Sequence, residues 1–272
     1  LSHLIDKESM MKKTSLNELE VTPETTAILL VEMQNEYASP NGKLHNTVKD
    51  VMESNSMLDK LSDLAEAARE VGALIVYAPM ITNSELNRDL WHYRTDSLFT
   101  ANTWNVKIVD QLKPKDVDCV VENKCGSNCF DGSNLEQILS EKGIKTLIVG
   151  GFTTDGSVED TIFEASDMGL NVISLTDGTA CESKQKQIST VANSLELFGT
   201  SLSCADAIQV IRGEVLDTCD ACSDTKEIPE NQTLNTFIDK IFEDSYKQEN
   251  TIVDEARADL YNQFKTSHVF IS

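Results

Sequence analysis

Basic residues are scarce in this chain: 23 Lys and Arg stand against 45 Asp and Glu, a formal net charge of −22. Such a field repels a phosphate backbone, which excludes nucleic acid as a partner. Long apolar runs are missing too. Nothing approaches the roughly 18 consecutive apolar residues of a membrane span, and the opening LSHLIDKESMMKK lacks a secretory core. No membrane partner is expected, and the expected compartment is the cytoplasm; a first residue of Leu is compatible with a longer precursor, including one imported into an organelle. Proline and glycine are few, 5 and 12 in 272 residues of which 40% are hydrophobic. That balance excludes chain-wide disorder and leaves a globular protein able to bury a large core. Seven scattered cysteines form no even framework, so reduced thiols are expected. Cys219 and Cys222 have metal or redox spacing, but two sulfurs are half of what a structural zinc takes; no metal and no cofactor are expected. Asn231-Gln232-Thr233 fits a glycosylation acceptor, a chance match in a chain that is not secreted.

What is present is an alternation. Short β-branched runs at Ala27 to Val31, Ala73 to Ala78, Asp118 to Val121, Thr146 to Val149 and Asn171 to Leu175, with a weaker one at Ser201 to Cys204, are separated by amphipathic segments. This is the pattern of strands and helices wound over a parallel sheet. Met57, Leu58, Leu61, Leu64, Ala65 and Ala68 share one helical stripe that ends before Gly72. Leu135, Ile138 and Leu139 do the same before Gly143, and Val158, Ile162 and Ala165 before Gly169. Ligands in such folds bind beyond the carboxyl ends of the strands, so functional residues are sought there. Three regions are expected: an N-terminal extension over 1–22, an α/β domain over 23–212 and an acidic C-terminal helical extension over 213–272. In the last, Leu234, Phe237, Ile238, Ile241 and Phe242 form one apolar stripe, and Val253, Ala256, Leu260, Tyr261 and Phe264 another. Such faces need cover, from the core or from a second subunit, and self-association through 233–265 is expected.

Three segments follow strands. In the first, Ala27-Ile-Leu-Leu-Val-Glu32-Met-Gln34-Asn35-Glu36-Tyr37, a carboxylate emerges as the strand ends; alone it reads as a solvated loop acid. In the second, Val120-Val-Glu-Asn-Lys124-Cys-Gly-Ser-Asn-Cys-Phe130, Lys124 reads alone as a surface lysine, or as a partner for Glu32. In the third, Leu147-Ile-Val-Gly150-Gly151-Phe152-Thr153-Thr154-Asp155-Gly156-Ser157-Val158, Ser157 stands at the mouth of a helix. The dipole there favours an anionic nucleophile or oxyanion; on spacing alone, Asp155 or Ser157 simply caps the helix.

In this order and at these separations the three segments resemble the isochorismatase-like (cysteine hydrolase) superfamily, from about Thr26 to Ala207 and including Ser174-Leu-Thr-Asp177-Gly-Thr-Ala180. The resemblance implies a three-layer α/β/α Rossmann-like fold with a mostly parallel six-stranded sheet. It also implies a non-proline cis peptide, which falls at Phe152-Thr153, and hydrolysis of amides, ureides or, in isochorismatases, a vinyl ether. Its Asp, Lys and Cys triad falls on Glu32, Lys124 and Ser157. A small-molecule ligand is expected to meet Gln34, Trp104, Phe152 and Thr153, under a loop running from Arg88 through Trp91, His92 and Tyr93 to Trp104. The metal-dependent nicotinamidase branch does not fit, because His92 has no HxxH partner.

Two triad positions depart from the pattern. A serine hydroxyl is far less acidic than a thiol, and a carboxylate with a reference pKa near 4 is a poor base for it. Glu in place of Asp adds a methylene, a displacement of about an ångström where such an error can cost about a hundredfold. Cys181 does not match the nucleophile segment. Two functions follow as expectations: a hydrolase with weakened or altered catalysis at Ser157, or a pseudoenzyme serving as a binding or structural module. Glu32 serves vinyl-ether protonation only where burial keeps it protonated.

Overall fold

The computed structural model describes residues 21–82, 98–124 and 126–216. The chain divides into two units between Leu216 and Asp217, and everything below belongs to the first. The lid residues Arg88 to Arg94, the Cys219/Cys222 pair and the apolar stripes of 233–265 lie outside the described residues.

Six strands form one parallel sheet: β1 Thr26–Val31, β2 Leu74–Ala78, β3 Cys119–Val120, β4 Thr146–Phe152, β5 Asn171–Ala180 and β6 Thr200–Leu202, in the order β3-β2-β1-β4-β5-β6. The helices are α1 Asn35–Ala38, α2 His45–Ser54, α3 Met57–Val71, α4 Leu135–Glu141, α5 Glu159–Asp167, α6 Lys184–Thr190, α7 Glu196–Phe198 and α8 Cys204–Ile211. β1 explains the architecture by itself. All six of its residues are buried, because it is covered on both faces and so carries a continuous apolar run instead of an alternating one. Ile28 and Leu30 pack into one core with Val48, Val51, Leu61, Leu64, Ala207 and Ile211 from α2, α3 and α8. Ala27, Leu29 and Val31 pack into the other with Leu135, Leu139, Ile162 and Ala165 from α4 and α5. Each fully buried Leu or Ile contributes about 1.5–3 kcal/mol. The expected three-layer α/β/α arrangement with six parallel strands is what forms.

α3 stops at Gly72, whose φ of +80° lets its N–H close on the carbonyls of Ala68 and Arg69. Two strands outrun the expectation. β4 continues through Gly150, Gly151 and Phe152, and β5 continues to Ala180 after a bulge, re-pairing Gly151 with Thr179 and Phe152 with Ala180. Gly151 is required: at φ +126° a Cβ would sit 2.0 Å from the Val31 carbonyl oxygen. Among the described residues no helix is long and apolar enough to cross a membrane.

The winding direction reverses between β1 and β4. A crevice opens at such a switch point, outside the strand carboxyl ends. Glu32 follows β1 and Ser157 follows β4, so both stand at this switch point. Lys124 follows β3 and reaches the same place past the end of β2.

Candidate active site

Glu32 leaves β1 at φ +51°, a left-handed conformation that costs a non-glycine residue about 1–3 kcal/mol and persists only when its surroundings impose it. They do so here. The Glu32 N–H donates to Ala78 O at 3.0 Å, and Gln34 N–H closes back on Glu32 O at 2.6 Å. Gln34 then staples the turn: its Nε2 donates to Met80 O at 2.8 Å and Val106 O at 2.9 Å, and its Oε1 accepts from Met80 N at 2.8 Å. Glu36 works alongside, fully buried, accepting from the backbone N–H groups of Lys43 and Phe99.

The turned carboxylate is the hub of the site. Glu32 Oε1 accepts from Lys124 Nζ at 2.6 Å and from Ser157 Oγ at 2.6 Å. Lys124 Nζ also donates to Gly126 O at 2.7 Å. Residue exposures are 0%, 1% and 2% for Glu32, Lys124 and Ser157, so neither the solvated acid nor the surface lysine of a segment-by-segment reading survives. Buried opposite charges persist only in a close, hydrogen-bonded pair, and that is what forms. Glu32 Oε2, by contrast, has no hydrogen-bond partner among the described residues.

Ser157 does not cap α5. The helix begins at Glu159 without a side-chain cap, Ser157 Oγ is spent on Glu32, and Asp155 pairs with Lys186 at 2.5 Å. The turn Thr154–Val158 is irregular, with Asp155 at φ −95°, ψ 19° and Gly156 at φ −140°, ψ −112°. The peptide before it, Phe152-Thr153, is cis as expected. Thr153 O accepts from the N–H groups of Gly156 and Val158, and Ser157 O accepts from Thr161 Oγ1 at 2.6 Å.

The four residues expected to meet ligand are placed differently from one another. Trp104 is 44% exposed, on the 104–109 segment that is held to the β1 turn by Asn35, Glu36 and Val109. Phe152 is fully buried and stacks on Tyr37, ring centroids 5.2 Å apart. Thr153 is partly exposed beside the nucleophile turn. Gln34 has both ends of its amide engaged by backbone, as given above, which makes it a builder of the Glu32 turn.

Three participants had no signal in the sequence reading. Thr161 is found four residues after Ser157, and its hydroxyl also accepts from Cys129 N at 3.0 Å. Cys129 is fully buried close to the ion pair; burial pushes its thiol up to about 11, although the Lys124 charge pulls the other way. A thiol so hard to ionise is not a replacement nucleophile. Cys181 is raised as well, chiefly by burial, and donates to Ser183 O. The third, Gln187 of α6, holds Thr154. Among the described residues no cluster of three or more His, Cys, Asp or Glu is arranged to hold a metal.

A doubly wound sheet here brings an acid, a lysine and a hydroxyl together at its switch point, the place where such folds bind ligands. Residues 26–206 match the Isochorismatase domain, and the chain belongs to that family. Among its relatives is a ureidoacrylate amidohydrolase, RutB, of Azorhizobium caulinodans, 30% identical over 59% of this chain and 78% of that one. The RutB of Klebsiella pneumoniae is 28% identical over 59% and 75%. Among solved structures, a cysteine hydrolase from Pseudomonas syringae superposes with a TM-score of 0.63 at 22% identity, covering 72% of this chain and 96% of that one. An N-carbamoylsarcosine amidase from Thermoplasma acidophilum gives 0.55 at 21%, covering 66% and 96%. At these identities the structures speak to the fold.

Proposed function

We propose that this chain hydrolyses a C–N bond of a small amide or ureide, with Ser157 standing where a cysteine hydrolase carries its thiol. The observation that carries the reading is the shared acceptor: one oxygen of Glu32 takes both the Ser157 hydroxyl and the Lys124 ammonium at 2.6 Å. As Ser157 Oγ attacks the carbonyl carbon, its proton passes to Glu32 Oε1 and the carbonyl electrons move onto oxygen. Collapse of the tetrahedral adduct breaks the C–N bond, and the leaving amine takes the proton back from Glu32. Water repeats the exchange to release the acyl group from the serine. Lys124 keeps a positive charge beside each anion in turn. A carboxylate is a weak base for a hydroxyl, so turnover is slow relative to a thiol enzyme. A vinyl ether would instead need Glu32 as proton donor, whereas its Oε1 is occupied as an acceptor twice over.

Substrate chemistry is suggested by the RutB relatives, whose name specifies a ureidoacrylate. The test is a side-by-side assay of the chain, Ser157→Cys and Glu32→Gln against small ureides, amides and isochorismate. Slow turnover that rises at least about tenfold in Ser157→Cys, and falls about a hundredfold or more in Glu32→Gln, is expected. The near-complete burial of all three groups favours a second reading, a binding module with a silenced site. Activity gained only by Ser157→Cys would establish that one, and silence from every form would sink the hydrolase.

A further inference from the structure

The irregular turn that carries Ser157 lacks the regular ladder that makes a helix rigid, because Asp155 and Gly156 depart from helical dihedrals. Its downstream end is fixed by Thr161, through the Ser157 carbonyl. Its upstream end is fixed from outside. Thr154 Oγ1 donates to Gln187 Oε1 at 2.6 Å, and Gln187 Nε2 donates to Thr179 Oγ1 at 2.9 Å and to Thr176 O at 3.3 Å. Thr154 and Thr179 are fully buried and Gln187 is 6% exposed. Every polar group of the Gln187 amide is thereby engaged, and the nucleophile turn is tied to the far end of β5. The neighbouring residue Lys186 grips Asp155, so two consecutive residues of α6 hold two consecutive residues of the turn. A glutamine whose flat amide accepts on one side and donates on the other fixes both position and rotation of what it bridges.

We infer that Gln187 is a positioning residue for the nucleophile: through Thr154 it sets the distance and angle at which the side chain at 157 meets Glu32. The inference rests on the hydrolase reading for its purpose, and not for its test. A misplacement of about 1 Å at a reacting atom costs about a hundredfold, and no other polar contact of the turn runs from Thr154 to the sheet among the described residues.

The experiment uses the full chain bearing Ser157→Cys as reporter. Alkylation by iodoacetamide is followed against pH by mass spectrometry of the peptide containing residue 157, so that the other cysteines do not contribute. Adding Gln187→Leu or Thr154→Val is expected to slow alkylation at pH 7 at least about fivefold and to move its pH midpoint by about one unit, the size of an ordinary environmental shift. Thr154→Ser, which keeps the hydroxyl, is expected to restore both, and the surface change Gln137→Leu to alter neither. An unchanged midpoint and rate in folded Gln187→Leu and Thr154→Val would overturn the inference, as would failure of Thr154→Ser to restore them. Should Gln187→Leu not fold, the Thr154→Val and Thr154→Ser pair decides. Failure of the hydrolase reading shows separately, as silence in the turnover assay while the alkylation profiles still differ.

Discussion

Lys124 and Glu32 meet with both side chains buried, and the energetics of that meeting differ from those of a surface pair. Removing two charges from water costs several kcal/mol each, which the 2.6 Å contact and the Gly126 carbonyl offset. The cost reappears when one partner goes. Lys124→Met is expected to destabilise the fold by about 3–5 kcal/mol by stranding the carboxylate, and Lys124→Met with Glu32→Gln to recover most of that. Chemical denaturation of the three variants checks it, and a double variant no better than the single one would refute the account. What linked Glu32, Lys124 and Ser157 in the sequence was the family resemblance of the three segments taken together, since each alone reads as a loop acid, a surface lysine or a helix cap. Burial was not legible: the pairing of Lys124 with Glu32, 92 positions away, was one of two readings, and neither residue's neighbours mark it as buried. Gln34, expected beside the ligand, has its amide engaged by the backbone groups of Met80 and Val106, contacts that nothing in its sequence neighbourhood signals.

At the scale of elements, legibility tracked apolar pattern. α3, α4 and α5 carry clear stripes and end before Gly72, Gly143 and Gly169, as the sequence leads one to expect, α3 directly and the other two with one capping residue between. α6 was invisible: Ile188, its one aliphatic residue, is 69% exposed, and what anchors it is the polar Gln187. The outer ends of β4 and β5 were missed because Gly150-Gly151 and Thr176-Asp177-Gly178 look like loops, yet the ladder resumes there after the bulge. In that stretch Asp177 joins three elements. Its Oδ2 pairs with Lys60 of α3 at 2.8 Å and its Oδ1 accepts from Cys204 N of α8 at 2.8 Å. Burial pushes its carboxyl up, but the hydrogen bonds from Lys60 and Cys204 outweigh this and leave it below the ordinary value. A folded value below the unfolded one means that the stabilisation is present above about pH 4 and is lost as pH falls through the folded value. Stability of the native chain is therefore expected to drop below about pH 5, and Asp177→Asn to drop less steeply over the same range. Urea titrations at pH 7, 5, 4 and 3 test this, and parallel slopes would remove Asp177 from the account.

For the whole molecule, the sequence carried the class of fold and its winding, since both follow from the alternation of buried strands with one-sided helices. Assembly rests on sequence alone: the stripes at Leu234 to Phe242 and Val253 to Phe264 lie outside the described residues. We expect the full chain to sediment as an oligomer at about 0.15 M salt, where a Debye length near 8 Å shortens the reach of its −22 charge, and Phe237→Asp with Ile241→Asp to sediment as a monomer. A native chain that runs as a monomer at tens of micromolar would end that expectation. The hub at Glu32 has a further consequence. One oxygen atom closes a loop of 92 residues to Lys124 and one of 125 to Ser157, and ring closure of that length is paid in chain entropy before any contact rewards it. The site therefore has no local precursor. No fragment shorter than residues 32–157 contains it, it appears on refolding only when distant strands have found their register, and an optical probe at residue 157 would report completion of the fold, not the growth of any single element.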